Sequence, residues 1–446
     1  MVTDIRKSLD EGAMSRFQWL AIAICVLLIM LDGFDVLVMA FTAPAISAEW
    51  KLNGAQLGVL FSAGLFGMAA GSLFLAPLAD RWGRQPMILL CLVVITLGMG
   101  ASALARDSFE LAALRAFTGL GIGGMLASVG VITAEYASNR WRSTAVGLQA
   151  TGYPIGATIG GSIAAVLLEQ YGWRSVFVFG AVATAAMIPV VLWRLPESVD
   201  FIVSRRPTKA LERLNTLLQR MQRAPITALP PAAAQTRSTN TVSALFAPGV
   251  SGSTLLLWSA FFLLMFSFYF ALSWTPKLLV AAGLSARQGV TGGVLLNIGG
   301  IVGGSVFGVL AARMNLGRLT ATNLTVTAIA LAAFGAFTSS LGPAFAIAFA
   351  IGAFIFASMA GLYAFAPIIY AASIRTTGMG WAIGIGRIGA ILAPLTAGAL
   401  LDGGWAAPHL YYAYAVPLLA AAVAVLALGR QSRDATQSRG VNVAAH

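Results

Sequence analysis

The chain has 446 residues, of which 58% are hydrophobic and only 10% are charged, and its formal net charge is +12. Soluble domains carry roughly a quarter charged residues, so this composition excludes a water-soluble enzyme as well as a disordered, collagenous or coiled-coil chain. In a soluble protein the basic excess would indicate nucleic-acid binding. In a membrane protein it is expected wherever basic loops gather on one side of the bilayer.

Apolar runs long enough to cross a bilayer, about 20 residues each, recur along the whole chain. We predict twelve spans, at residues 17–42, 54–79, 85–105, 110–136, 142–168, 174–194, 254–277, 287–312, 317–340, 343–369, 376–401 and 409–429. The pattern therefore predicts an all-α membrane protein.

The longest polar stretch separates the sixth span from the seventh. It divides the spans into two pseudo-symmetric six-helix halves, 17–194 and 254–429, joined by a central loop at 195–253. Tails at 1–16 and 430–446 complete the predicted organisation.

Lysine and arginine are distributed unevenly between the two sets of loops. With the N-terminus inside, the inside segments contain 21 of the 28 basic residues and the outside segments five, while Arg115 and Arg387 remain within spans. Basic residues accumulate in cytoplasmic loops, so we expect both termini to be cytoplasmic and the membrane to be a bacterial inner membrane.

A short motif follows the second span and recurs in altered form after the eighth. Residues 78–84 are Leu-Ala-Asp-Arg-Trp-Gly-Arg, and residues 308–318 repeat the pattern with Ala312 in the position of Asp80. Repeated halves are typical of transporters that surround a central cavity. The repeat therefore predicts transport by alternating access.

Two carboxylates interrupt the first span. Asp32 and Asp35 are three residues apart, so they share one helix face, and Gly33 leaves room beside them. Ionisable residues in a membrane are costly and usually functional, so we predict that the pair carries protons. The alternative is a structural hydrogen bond or ion pair. Asp35, which lies nearer the outer end, could also be merely solvated.

Arg387 in the eleventh span is the predicted anion-binding residue, because a guanidinium can bind a carboxylate through two hydrogen bonds. A permanent salt bridge to Asp32 or Asp35 is the alternative. Further substrate-binding candidates are aromatic or polar residues of the second half, namely Tyr269, Trp274, Asn297 and Tyr370. Aromatic residues in spans also serve packing or interfacial anchoring, which is the alternative for Tyr269 and Trp274.

Charged residues of both signs are predicted to meet at the inner surface. They are Asp80, Arg81, Arg84, Glu135 and Arg142. Ion pairs among them could stabilise one conformation of the transporter, so we predict a gating role. The alternative is a set of loops that only determines topology.

The motif at 78–84 resembles that of the major facilitator superfamily. Three further segments resemble the aromatic acid:proton symporters of that superfamily: Asp-Gly-Phe-Asp at 32–35, the glycine-rich run at 115–124, and Gly-Arg-Ile-Gly-Ala-Ile at 386–391. This resemblance implies the major facilitator fold and proton-coupled import of a benzoate-, hydroxybenzoate- or protocatechuate-like anion. It also implies a role for Arg115 in proton movement. The alternative is an arginine whose side chain extends to the outer face of the bilayer.

The chain contains no phosphate-binding loop, no Cys/His cluster and no nucleophile–base arrangement. We therefore expect no enzyme, no metal and no cofactor, with the proton gradient as the driving force. The expected partners are the acid anion, protons and lipid; nucleic acid is not expected, and a monomer would suffice. Two alternatives remain open: import of a non-aromatic acid such as muconate, and proton-driven export.

Overall fold

The computed structural model describes residues 9–229, 242–248 and 250–443, without the side chains of 372, 373, 376 and 431–443. Parts of both predicted tails and of the predicted central loop lie outside these residues. Within them the chain is helical, with no strand, and twelve helices are long and apolar enough to cross a membrane. The predicted fold class is confirmed.

Each predicted span coincides with one long helix. The helices are α1 Arg16–Trp50, α2 Gly54–Phe74, α3 Arg84–Ser102, α4 Ser108–Tyr136, α5 Asn139–Tyr171, α6 Trp173–Arg194, α7 Ser251–Ala281, α8 Ala286–Ala311, α9 Leu316–Phe337, α10 Leu341–Ile369, α11 Ala372–Asp402 and α12 Ala407–Val443. Short helices lie at Ala79–Trp82, Val199–Arg205 and Ala210–Arg220, and 3-10 turns at Ala76–Leu78 and Ser243–Phe246.

Polar side chains define where several of these helices begin. The Asp107 carboxylate accepts the backbone N–H of Glu110 at 2.8 Å and starts α4. Ser285 and Gln288 form a reciprocal capping box at the start of α8, and Asn315 accepts the N–H of Arg318 at 3.1 Å at the start of α9. Each cap pairs an N–H group that the helix itself leaves unbonded.

Helix α1 is longer than its apolar run predicts. It continues through Pro44 to Trp50 rather than ending near residue 42. The extension places Asp32 and Asp35 close to the middle of the helix.

Glycines allow α1 and α5 to pack with their backbones in contact. A Cβ atom at Gly33 would overlap the carbonyl of Tyr153, and one at Gly156 would overlap the carbonyl of Met30. Small residues at such crossings are characteristic of membrane helices. The close approach brings α5 against the segment of α1 that carries Asp32 and Asp35.

The chain packs as two compact units. The first comprises the described parts of Met1–Val38, Ala63–Gly160 and Gln170–Thr236; the second comprises those of Met39–Ser62, Gly161–Glu169 and Arg237–His446. The C-terminal end of α1, the first part of α2 and the C-terminal end of α5 therefore pack in the same unit as α7–α12.

Candidate functional site

In the first unit, α1 and α4 place three ionisable side chains in the protein interior. Asp32, Asp35 and Arg115 are 2%, 1% and 2% exposed. All three lie within segments long and apolar enough to cross the membrane. Sequence analysis assigned these same residues to proton movement.

Contacts from three other helices, α1, α3 and α6, hold the Arg115 guanidinium. Its Nη2 donates to the backbone carbonyl of Asp35 at 2.6 Å, and its Nη1 donates to the sulfur of Met99 on α3 at 3.1 Å. The cation also lies 5.9 Å from the ring centroid of Phe177 on α6. Arg115 is thus an interior residue, and the alternative of an arginine extending to the outer surface is wrong.

The Asp35 carboxylate is buried and not fully hydrogen-bonded. Its Oδ1 has no hydrogen-bond partner among the described residues. A Cβ at Gly180 would lie 3.3 Å from this atom, so the glycine leaves space beside the carboxylate. The alternative that Asp35 is merely solvated is wrong, because the long α1 places it in the middle of the helix rather than at its end.

Asp32 lies one helical turn before Asp35 and is equally buried. The structure therefore brings together the three residues predicted to move protons. Buried charges of opposite sign beside an unsatisfied oxygen are costly to maintain, and such sites in membranes usually have a function.

In the second unit, Arg387 is partly buried on α11. The backbone at Gly386 packs on α7, where a Cβ would lie 3.0 Å from the Met265 side chain and 3.4 Å from the carbonyl of Phe261. On α10, Tyr363 lies close enough to Arg387 to interact with it electrostatically. Tyr363 is 42% exposed and its ring meets Phe261 edge-on at 5.5 Å.

The other predicted substrate-binding residues are spread over this unit. Tyr269 is half-buried against Phe268, 5.3 Å between ring centroids. Trp274 is buried and packs edge-on against Phe61 of α2 at 5.2 Å. Because a helix rises about 1.5 Å per residue, Trp274 lies roughly 14 Å further along α7 than Met265.

Asn297 and Tyr370 are both fully buried. Asn297 donates through Nδ2 to the carbonyl of Gly293 at 2.9 Å, and its Oδ1 has no hydrogen-bond partner in the described part of the chain. Tyr370 follows the last residue of α10, and its ring covers Gly378 of α11. The roles of these residues in binding stay predictions.

Sequence analysis missed Tyr363. The available signal was a single tyrosine within the very apolar α10; the structure packs it against Phe261 of α7, the residue whose carbonyl lies beside Gly386. It was overlooked because hydropathy and spacing along α10 do not indicate which face meets α11.

Three of the predicted gating residues, Asp80, Arg84 and Glu135, lie around a glutamate that sequence analysis also missed. Glu197, just after α6, accepts the backbone N–H of Arg84 at 2.7 Å and those of Gln85 and Ser198 at 3.3 and 2.7 Å. Its carboxylate therefore caps the first turn of α3. Burial raises the pKa of Glu197, and these N–H bonds partly oppose the rise.

This cap explains the glycine of the motif at 78–84. Gly83 has φ = 106°, and a Cβ there would overlap the Glu197 carboxylate. On the other side of the cap, Arg84 forms an ion pair with Asp80 at 2.6 Å, and Arg205 donates through Nε to the carbonyl of Asp80 at 2.9 Å.

Glu135 joins the same cluster. It accepts a hydrogen bond from the Ser198 hydroxyl at 2.9 Å, and the neighbouring Tyr136 hydroxyl donates to the carbonyl of Glu197 at 2.7 Å. The end of α4 and the start of α3 are thus joined through residues 197–198.

Arg142 forms a separate set of contacts. It pairs with Asp10 and donates to the carbonyl of Ala134 at 3.0 Å and to the Asn139 side chain at 2.8 Å. Arg81 is exposed. The five predicted residues therefore do not form one cluster, because Asp10 in the N-terminal segment is the acid that pairs with Arg142.

Comparison with known proteins agrees with this architecture. The model of the Major Facilitator Superfamily matches residues 23–373. The chain also resembles the solved structure of the xylose transporter XylE from E. coli in a partially occluded inward-open conformation. The TM-score is 0.71, with 15% identity, covering 91% of this chain and 98% of that one.

Relatives of known function match over nearly the whole chain. A gallate transporter of Pseudomonas putida is 34% identical, covering 97% of this chain and 96% of the relative. The 4-hydroxybenzoate transporter PcaK of Pseudomonas aeruginosa is 31% identical over 96% of each chain. A 3-(3-hydroxy-phenyl)propionate transporter of Escherichia coli is 31% identical, covering 93% and 95%. The chain therefore belongs to the major facilitator superfamily, as a multi-pass membrane transporter and not an enzyme.

Proposed function

We propose that this protein is a proton symporter that imports a small aromatic carboxylate, such as benzoate, a hydroxybenzoate or protocatechuate, by alternating access. The observation that carries the proposal is the buried cluster of Asp32, Asp35 and Arg115 in the first unit, with one oxygen of Asp35 lacking a hydrogen-bond partner among the described residues. The aromatic acids named for the relatives support the substrate class.

Two opposing effects make Asp35 suited to bind and release a proton. Burial disfavours the charged carboxylate, whereas the nearby Arg115 guanidinium favours it. A small change around either group, such as the movement of one helix, would shift this balance. Reversible protonation during a transport cycle requires such a site.

The anion would bind in the second unit at Arg387. A guanidinium can donate two parallel hydrogen bonds to a carboxylate. Tyr363 and Phe261 place aromatic surface near Arg387, and aromatic rings pack favourably in offset or edge-on arrangements. The phenol of Tyr363 could also hydrogen-bond a ring hydroxyl, as in a hydroxybenzoate.

We further propose a location in the bacterial inner membrane with both termini in the cytoplasm. The cluster of Asp80, Arg84, Glu135 and Glu197 would then lie at the cytoplasmic ends of the helices, where it would stabilise one state of the cycle. The cycle uses a single chain, the acid anion, protons and the bilayer, without a cofactor or metal.

Uptake into proteoliposomes tests the proposal. Purified protein is given radiolabelled benzoate, 4-hydroxybenzoate, protocatechuate, gallate or cis,cis-muconate under an imposed inward proton gradient. We expect accumulation of at least one aromatic acid, abolished by an uncoupler. Accumulation of muconate alone would replace the aromatic substrate with a non-aromatic acid, and efflux driven by the opposite gradient would replace import.

A further inference from the structure

The last residue of α11 binds the start of α2. Asp402 Oδ1 accepts the backbone N–H of Gly54 at 2.7 Å, and Oδ2 accepts that of Ala55 at 2.8 Å. Both carboxylate oxygens therefore pair with unbonded N–H groups at the positive end of a helix dipole. All of these residues belong to the second unit.

Helix α2 has its own cap and does not depend on Asp402 to form. Asn53 Oδ1 accepts the N–H of Gln56 at 2.8 Å, and the Gln56 side chain accepts the N–H of Asn53 at 3.0 Å. This reciprocal capping box is local. The contribution of Asp402 is therefore to join two helices that are distant in the sequence.

A seam of small residues continues from this contact along both helices. A Cβ at Gly398 would overlap the carbonyl of Gly54, and one at Gly58 would lie 2.6 Å from the carbonyl of Pro394. About one turn beyond Gly58, the Ser62 hydroxyl donates to the carbonyl of Ile391 at 2.7 Å. The backbones of α2 and α11 are thus in contact from residue 54 to residue 62.

The seam is composed mainly of van der Waals contacts and one hydroxyl hydrogen bond, whereas Asp402 is the charged group at its end. The end of α5 and the start of α8 also carry an ion pair, Glu169 with Arg287 at 3.5 Å, but both side chains are more than 60% exposed. Exposed ion pairs contribute little. Asp402 is exposed as well, but its two oxygens accept two backbone N–H groups at 2.7 and 2.8 Å. Its carboxylate is therefore the stronger candidate for holding these helix ends closed.

We propose that Asp402 is a gate residue, whose carboxylate joins α11 to the start of α2 and releases it when this side of the transporter opens. This inference rests on the proposed alternating-access function, in which these helix ends form the outer mouth. Asp402 acts through the position of α2 and has no contact with substrate in this role. Removing the carboxylate should increase the population in which α2 and α11 are apart.

A cysteine in the seam can report this opening. Ser62 is 4% exposed, so Ser62→Cys places a thiol that a charged methanethiosulfonate reagent reaches only when the seam separates. The background carries Cys25→Ala and Cys91→Ala, which remove the two native, buried thiols. Labelling is followed by mass spectrometry on protein in lipid nanodiscs, without substrate or gradient.

We expect Asp402→Ala to increase the labelling rate about fivefold, the factor that corresponds to loss of a typical helix cap. Asp402→Asn should change it less than about twofold, because the amide oxygen still accepts one N–H. Asp107→Ala is the matched control: it removes a carboxylate cap that serves only its own helix, α4, and should leave labelling unchanged. If Asp402→Ala is not monodisperse, Asp402→Ser replaces it with the same expectation, because serine is too short to reach both N–H groups.

Unchanged labelling in Asp402→Ala, or an equal increase in Asp107→Ala, would overturn the proposal. The proposed function fails separately. Faster labelling in Asp402→Ala, together with no accumulation of any acid by wild type, would support the gating role of Asp402 and reject proton symport. Proton-driven uptake by wild type, together with unchanged labelling in Asp402→Ala, would support symport and reject the gating role.

Discussion

At the scale of single residues, burial distinguishes Asp35 and Arg115 from ordinary polar residues of a membrane helix. Each is at most 2% exposed, and they lie on different helices joined by the hydrogen bond from Arg115 to the Asp35 carbonyl. That bond leaves the carboxylate itself available for protonation. The location, rather than the residue type, supports the proton-carrying role.

Asparagine at position 35 resembles a permanently protonated aspartate. We therefore expect Asp35→Asn to reduce proton-driven accumulation at least about tenfold, while exchange of external for internal substrate continues, because exchange needs no net proton movement. Proteoliposome uptake and counterflow measure the two activities. Asp107→Asn, which keeps its helix cap, should behave as wild type. Normal accumulation by Asp35→Asn would remove Asp35 from the proton pathway.

Arg387 is expected to bind the carboxylate of the substrate. Arg387→Ala should weaken binding of the transported acid at least about tenfold, and Arg387→Lys should recover only part of it, because lysine cannot form the two parallel hydrogen bonds. Isothermal titration calorimetry measures the dissociation constants. Arg287→Ala, which changes an exposed arginine of the same unit, should have no effect. An unchanged dissociation constant in Arg387→Ala would contradict the assignment.

At the scale of elements, the link between α3, α4 and the segment after α6 depends on Glu197. Its carboxylate caps α3, its carbonyl accepts the Tyr136 hydroxyl, and the adjacent Ser198 bonds Glu135. Gly83 is compatible with this arrangement because it has a positive φ and no Cβ. The motif at 78–84 therefore specifies a docking site for a segment more than a hundred residues away.

Gly83→Ala should destabilise the protein by about 1–3 kcal/mol, since alanine strains the backbone and its Cβ meets Glu197. The melting temperature in detergent should fall by several degrees. Gly147→Ala on α5 is the control, because nothing lies within 4 Å of a Cβ there, and it should be neutral or slightly stabilising. When Gly83→Ala is combined with Glu197→Ala, the loss of stability should be smaller than the sum of the two single losses. A loss equal to that sum would argue against a direct clash between the new Cβ and Glu197.

Protonation of Glu197 should also influence stability. Because the pKa is raised on folding, the folded state holds this proton more tightly, and stability falls as the pH rises above the ordinary value of 4.5. The side chain in Glu197→Gln cannot titrate. As the pH rises above 4.5, the melting temperature of wild type should therefore fall relative to that of Glu197→Gln. A difference that is constant with pH would show that the carboxyl is ionised equally in both states.

At the scale of the whole molecule, twelve spans and the uneven distribution of basic residues define the expected topology. A fusion of green fluorescent protein to the C-terminus should fluoresce, and an alkaline phosphatase fusion there should be inactive, because both reporters would remain in the cytoplasm. Matched fusions after Trp50, in the first outside loop, should give the opposite pair of results. Active phosphatase at the C-terminus would reverse the orientation.

The sequence by itself determined the membrane class, the twelve spans, the candidate residues within them and the family, because hydropathy, charge and short motifs are local properties of the chain. Only the tertiary structure decided which residues are partners: Asp10 for Arg142, Glu197 for the start of α3, and Asp402 for the start of α2. It also decided that Asp35 and Arg115 are interior residues. In a chain whose helices are apolar on nearly every face, periodicity does not indicate which face meets which helix. Close packing through glycines selects the neighbours, and the few polar groups then bond to whatever that packing brings within reach.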